Sequence, residues 1–454
     1  MGLSLEKWEL YSEYKNLGFD PLRWLPDCSN ELKHDIIAQE LKRSNLRIRA
    51  PSYYSYFHYP EKKDAEIIRR IYKVDEEFRH KDLKTKKAVT ILKYDKKVVY
   101  DDNNLIVDEI KKIASAIDSK IEIDKLSIIP TNTKKDFHFI LFDHIKSQRG
   151  NKTGYTVVTN SNTQATDVTQ PIKSPIHMEI SLTEAINNLN LVGCTKDIKL
   201  YPIYDAPNDE MLDKIRSNID TFTIKYNYTF EDYSSLKLGG LFFGTTAVGN
   251  THKELPNKYE LVEQEMQIII TDKMGLLACL GLYIITTLDE EIITKKLNSY
   301  GIDLSKVFQL KDLALKNLSE PKLSLGRTIS KYLPDFGNQF DANSNILVTH
   351  PVSKNGISSF KELSQLLNKE VIIEQQQIPY VDKDISTFLA KEHLISNVSA
   401  STSDTNMIIV SKDLAASIME ELAKHKFNPT IIGKIGKPGK STVHLHNNSN
   451  NNNG

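Results

Sequence analysis

Apolar and polar positions alternate along much of the chain with two different periods, and the switch between them marks out elements. Glu6 to Leu17 and Asn30 to Ser44 carry apolar residues at helical spacing, and Asp27, Ser29 and Asn30 are N-cap candidates for the second run. From Lys87 onward short alternating or β-branched runs appear. Strands are predicted over Ala88–Tyr94, Lys97–Tyr100, Phe137–His144, Tyr155–Thr159 and Lys199–Tyr204, with the segment SQRGNKTG read as a hairpin connection. Helices are predicted over Asn104–Ile117, Glu179–Leu191 and Glu210–Phe222, with a turn at APND between the last strand and the last helix. The stretch Leu236 to Thr251, LKLGGLFFGTTAVGNT, reads as a strand, a glycine break and a second apolar run, and Tyr259–Thr271 as one more strand.

The second half repeats the alternation. Helices are expected at Leu276–Thr287, Asp289–Ser299, Leu304–Leu318, Ile357–Leu367 and Asp413–His425, and strands at Asn345–Thr349, Val371–Glu374, Met407–Val410 and Pro429–Gly433. Mixed strands and helices predict an α+β chain with a sizeable sheet. Four segments follow: a helical N-terminal region over 1–86, a sheet domain over 87–272, a second domain over 273–440, and a polar tail over 441–454 whose HLHNNSNNNNG is expected to be disordered. The run IGKIGKPGKST is basic and glycine-rich, but it follows the last strand and opens no helix, so it reads as an exit linker.

Composition narrows the function classes. The chain has 454 residues, 59 basic and 59 acidic, so it carries no net charge. A dedicated nucleic-acid binder usually has a basic excess. The arginines of LKRSNLRIR beside the tyrosines of PSYYSYFHYP, at 42–60, have the ingredients for base stacking, yet a segment packed on a domain surface is the simpler reading. The most apolar run, Gly275 to Leu288, falls short of the ~20 residues that span a bilayer and reads as a buried core helix. The opening MGLSLEKWEL is charged where a signal peptide is apolar, and the three cysteines, Cys28, Cys194 and Cys279, form neither a disulfide framework nor a CxxC site. A reducing cytoplasm and no membrane association are expected. Cys194 and Cys279 lie in apolar runs and read as core thiols. Neither GxxxxGK[ST] nor a GxGxxG following a strand occurs.

The order of several motifs resembles the selenophosphate synthetase family, within the superfamily that also holds aminoimidazole ribonucleotide synthetase. ILVTHPVSKNGISSFKELSQLL (Ile346–Leu367) is similar to the family's Thr-Asp-Val-Thr-Gly-Phe-Gly loop and following helix. SASTSDTNMIIVSKD (Ser399–Asp413) resembles its Pro-Gln-Thr-Ser-Gly-Gly strand, and NPTIIGKIG (Asn428–Gly436) its closing Ile-Ile-Gly strand. VVTNSNTQATDVTQP (Val157–Pro171) resembles the strand before a metal-binding aspartate, and SLTEAINNLNLVGC (Ser181–Cys194) the helix reading Asn-x-x-Ser-Asp-x-x-x-x-Gly.

The resemblance implies a two-domain fold, with an N-terminal sheet domain that forms a shared barrel in a homodimer and a C-terminal α/β sandwich. To these the present chain adds its helical N-terminal region. It implies ATP held with Mg²⁺ by aspartates, and a cysteine and a lysine acting in phosphate transfer to selenide. Magnesium is a hard cation that wants anionic oxygen. Residue by residue, however, the carboxylates thin out. Asp136 is the one acidic survivor and the metal candidate; Asn162, Asn187 with Asn188, and His350 stand at other nucleotide-site positions. Cys28 and Lys33 are the candidates for the catalytic pair, without the flanking glycines, and Asp167 and Asp205 are nearby replacement carboxylates. The expectation is therefore a divergent member with a lapsed magnesium–ATP site, acting as a dimeric binding or regulatory protein with a protein partner at its N-terminal region. The competing reading is an active ATP-dependent phosphotransferase, making selenophosphate or a related small molecule at a rebuilt site.

Overall fold

The structure, a computed structural model, describes residues 9–10, 12–14, 16, 54–56, 126–130, 137–141, 146–149, 154–161, 170–232, 242–288, 290–352, 356–392, 402 and 405–446. Residues 9–16 are helical wherever described, as periodicity predicts. The predicted elements over 30–44, 88–94, 97–100 and 104–117 lie outside the described residues, as do 236–241 and 447–454.

The chain is mixed α+β. A three-stranded sheet joins β1 (Tyr54–Tyr56), β2 (Leu126–Pro130) and β3 (Phe137–Leu141), with β1 parallel and β3 antiparallel to β2. A five-stranded sheet contains β4 (Lys146–Arg149), β5 (Tyr155–Ser161), β6 (Lys196–Asp205), β7 (Thr229–Phe230) and β8 (Phe242–Thr251), in the order β4-β5-β8-β6-β7. The hairpin expected between Phe137 and Tyr155 is thus shorter than predicted. Ser147 to Arg149 are strand, paired to β5, while Phe137–Leu141 belongs to the other sheet.

A six-stranded sheet runs β10-β12-β9-β13-β11-β14, from β9 (Gln267–Ile270), β10 (Val348–Pro351), β11 (Lys369–Glu374), β12 (Asn406–Val410), β13 (Thr430–Pro438) and β14 (Val443–His446). Its middle strands are buried on both faces, which is why they read as unbroken apolar runs. Ile268, Ile270, Met407 and Ile409 face a core shared with Phe360 and Leu363 of the helix Ser358–Leu367. Ile269, Ile408 and Val410 face the opposite core, shared with Ile329 and Ile418 of the helices Leu323–Lys331 and Lys412–Lys424. The predicted strand over Tyr259–Thr271 is mostly loop with a single 3₁₀ turn at Tyr259–Leu261, and only its last residues pair.

In chain order the helices are α1 (Ile176–Asn190), α2 (Asp209–Tyr226), α3 (Leu276–Leu288), α4 (Glu290–Ser299), α5 (Leu304–Ser319), α6 (Leu323–Lys331), α7 (Ser358–Leu367), α8 (Lys383–Lys391) and α9 (Lys412–Lys424). The APND turn supplies the start of α2: the Asn208 side chain accepts from Met211 N at 3.0 Å, Asp209 and Glu210 occupy the positive first turn, and Asn227 ends the helix in the left-handed region. The apolar α3 is a buried core helix. Ala278, Cys279, Leu282 and Tyr283 join the core of the five-stranded sheet, while Leu276 and Leu280 meet Ala314 and Leu315 of α5. Among the described residues no helix is long and apolar enough to cross a membrane.

Two features cross the expected boundary at residue 273. β9, before residue 273, is a central strand of the six-stranded sheet, and α3, after it, completes the core of the five-stranded one. The exit linker is also corrected. Residues 432–438 continue β13, and the chain then pairs once more as β14, parallel to β11. His444 and His446 lie on that strand, half-exposed, beside Glu370 at 3.8 Å and Glu374 at 3.3 Å. The ladder to β11 orders the first part of the tail that composition marked as disordered.

Candidate functional site

α1 carries two of the sequence-predicted positions, Asn187 and Asn188. Its sequence IHMEISLTEAINNLN is buried nearly all round, polar residues included. The Ser181 and Thr245 hydroxyls meet at 3.0 Å, which docks one side of α1 on β8. The other side meets α6. There the Asn187 Oδ1 accepts from the Lys322 backbone N–H at 2.7 Å, just ahead of α6, and more distantly from Asn190 Nδ2 at 3.4 Å. The Asn187 Nδ2 is buried without a partner, as is the Asn190 Oδ1. Gly326 lets the helices approach: a Cβ there would lie 2.6 Å from Asn190 Oδ1 and 3.0 Å from Asn190 Cα.

The C-terminal end of α1 abuts the six-stranded sheet, where the Thr349 hydroxyl donates to Leu191 O at 2.7 Å. Asn188 is half-buried in the last turn before this junction. His350, the next residue of β10, is 3% exposed and stands opposite Met407 in register. Because strand side chains alternate, His350 leaves the sheet on the face opposite Thr349. The elements carrying Asn188 and His350 therefore meet, while the His350 ring belongs to the far face. Cys28, Lys33, Asp136, Asn162 and Asp167 lie outside the described residues.

The Thr-Ser-Gly-Gly-like segment has a structural use. Thr402, 1% exposed, accepts from Gly275 N at 2.8 Å at the start of α3, and the Thr405 hydroxyl donates to Lys273 O at 3.2 Å. Glu179, in the first turn of α1, has its carboxyl raised by burial; Lys225 lowers it and Glu320 raises it further. Among the described residues no three His, Cys, Asp or Glu side chains converge to hold a metal. The Cys194 and Cys279 thiols are buried and pushed up to about 12 by desolvation, as core thiols should be.

Among the described residues the matched positions supply no anionic oxygen for a magnesium–triphosphate: Asn187 and Asn188 are neutral amides, the Asn187 oxygen accepts from a backbone N–H, and His350 is buried within a sheet.

Sequence reasoning missed one polar cluster, at the other end of α1. His177 is fully buried, its Nε2 lying 3.0 Å from Pro171 O and 2.9 Å from the hydroxyl of Tyr14, itself 0% exposed. The available signal was a histidine set among apolar helix positions in IHMEI.

No protein-family model matches the chain, and no curated protein sequence matches it. Solved structures with a similar arrangement include thiamine-monophosphate kinase from Stenotrophomonas maltophilia, with 12% identity over 66% of this chain and 88% of that one at a TM-score of 0.46. AaThiL complexed with AMPPCP and TMP has 11% identity over 66% of this chain and 87% of that one, at 0.45. The hydrogenase maturation protein HypE in complex with ATP has 10% identity over 65% and 80%, at 0.43.

Proposed function

We propose that this chain is a divergent synthetase-like protein of the selenophosphate synthetase type whose magnesium–nucleotide site has lapsed, and that it works as a binding or regulatory protein. In this reading it is cytoplasmic, and the sheet domain over 87–272 forms a shared barrel in a homodimer, followed by the second domain over 273–440. The helical region over 1–86 faces a protein partner. Cys28, Lys33, Asp136, Asn162, Asn188 and His350 mark the remnants of the ancestral site, and Asp136 is the one carboxylate among them.

The observation that carries the reading is the neutral amide of Asn188 at the aspartate position of the resembling helix, next to Asn187, at the serine position, whose Oδ1 accepts from Lys322 N at 2.7 Å. An amide brings no charge to a hard cation, and the Asn187 side chain is committed to a helix–helix contact that fixes the start of α6. The motif order supports the ancestry, and the use of Thr402 to hold Gly275 N supports the loss.

Calorimetric titration with ATP and Mg²⁺ tests this, with no saturable binding expected. Micromolar binding that Asp136→Ala abolishes, or selenide-dependent ATP turnover, would overturn it and establish the phosphotransferase. Light scattering should give a dimer; a monomer removes the shared barrel.

A further inference from the structure

The two edges of the six-stranded sheet are finished differently. β10, at one end, is capped along its outer side. The Thr349 N–H donates to Pro256 O at 3.1 Å, the Lys258 N–H donates to Leu347 O at 2.9 Å, and Asn257 stands opposite Val348. Pro351 ends the strand without an amide donor. β14, at the other end, pairs with β11 alone, and among the described residues no strand pairs with its outer side.

The register fixes what β14 presents there. Val371 stands opposite Val443, and its N–H donates to Thr442 O at 2.9 Å. In a parallel ladder successive residues turn their main-chain groups to alternate sides. His444 therefore faces β11, and the N–H and C=O of Val443 and Leu445 face outward. Side chains alternate between the faces of the sheet as well. Leu445, level with the fully buried Ile373, is 46% exposed. Val443, on the same face, packs on the core that holds Phe360 and Leu363 of α7. His444 and His446 take the other face, beside Glu370 and Glu374.

An open edge is a template for another strand, and natural sheets guard theirs with lysine, proline or a cover. β14 has neither lysine nor proline. From Ser441 to Gly454 the sequence contains no Asp, Glu, Lys or Arg, against 26% charged residues in the whole chain. That composition suits one partner in particular. When a strand pairs antiparallel with its own copy, each residue meets itself or a close neighbour, so a formal charge would meet its like.

We propose that β14 pairs antiparallel with β14 of a second copy of this chain, about a two-fold axis at Leu445, and joins two six-stranded sheets edge to edge. The outward N–H and C=O of each Leu445 then bond across the axis, the two exposed leucine side chains cover each other, and His444 stands opposite His446. The contact is isologous, so it closes after two copies. It is smaller than a standard interface, so association is weak and reversible. It uses none of the 87–272 sheet domain. If that domain forms its barrel, β14 joins two dimers; if it does not, β14 joins two chains.

Sedimentation velocity of the full chain at pH 8, at about 200 μM to suit so small an interface, tests the pairing. Leu445→Lys sets two ammonium groups against each other on the axis and should at least halve the average mass. Leu445→Glu should do the same. Mixed in equal amounts, the two variants should recover the larger species, because opposite charges then meet. Leu445 is exposed, so both variants should keep the circular dichroism of the unmodified protein. A mass that Leu445→Lys leaves unchanged overturns the proposal, and so does failure of the two variants to recombine. Should the mass stay unchanged while the Leu445 amide is protected from hydrogen exchange at every concentration, the edge belongs to another segment of the same chain.

Discussion

The Thr349 hydroxyl donates to the carbonyl of Leu191 at 2.7 Å across 158 residues of chain, and so ties the edge strand β10 to the end of α1. Both sides of this contact are buried, so its loss leaves a carbonyl without a partner. Thr349→Val keeps the shape and deletes the donor; it should cost about 1–2 kcal/mol in urea unfolding, and Thr349→Ser should recover most of it. A Thr349→Val protein as stable as the original would mean that the carbonyl finds water instead.

Asn187 gives a second test, specific to the lapsed site. Asn187→Ala orphans the Lys322 N–H and should cost about 1–3 kcal/mol. Asn188→Asp, at the neighbouring position, restores the carboxylate of the resembling family. Because no three acidic, histidine or cysteine side chains converge among the described residues, it should give no Mg²⁺-dependent rise in Tm. A magnesium-dependent stabilisation would show that the carboxylate can still reach a metal.

Much of the second half was legible because its buried strands are unbroken apolar runs, as in QIII and NMIIV, and its helices have clear polar faces. α6 was not, since Pro321 precedes it and Gly326 sits in its middle, and both read as breakers. The glycine is there for the close crossing with Asn190, which no local pattern encodes. The candidate site was legible as a set of positions and not as a geometry. Whether an asparagine faces a ligand or a neighbouring helix depends on contacts as distant as Asn187 and Lys322.

The glycine-containing strand β8 has a packing role at one of its glycines. A Cβ on Gly249 of β8 would lie 2.7 Å from Cys194 Sγ and 3.3 Å from Leu189 Cδ1. Gly249→Ala should therefore destabilise by about 1–3 kcal/mol through overpacking. Adding Cys194→Ala should relieve part of that cost, so a double-mutant cycle should show favourable coupling. Strictly additive effects would place the clash elsewhere.

The thiols offer a chemical count. Cys194 and Cys279 are buried, and desolvation pushes both up to about 12, so neither should form thiolate at mild pH. With Ellman's reagent at pH 8 Cys28→Ser should leave a native protein with no reactive thiol. Denaturant should expose all three cysteines. Native labelling of Cys28→Ser would show that the core around α1 or α3 opens readily.

His177 sets a pH dependence whose sign follows from its burial. Desolvation lowers its pKa to about 4, against a weaker upward pull from Pro171 O, so the folded chain stays unprotonated where the unfolded chain, near 6.5, binds a proton. Proton uptake by the unfolded state makes stability rise with pH across this window. The contribution is fully present above about 6.5, is lost as pH falls toward 4, and amounts to ~3 kcal/mol. Urea unfolding of the unmodified protein and of His177→Phe, followed from pH 7.5 to 4, should give curves whose difference narrows as pH falls and flattens below about 4. A difference independent of pH would mean that the ring titrates normally in the folded protein, and that Tyr14 and Phe243 do not exclude water from its Nδ1.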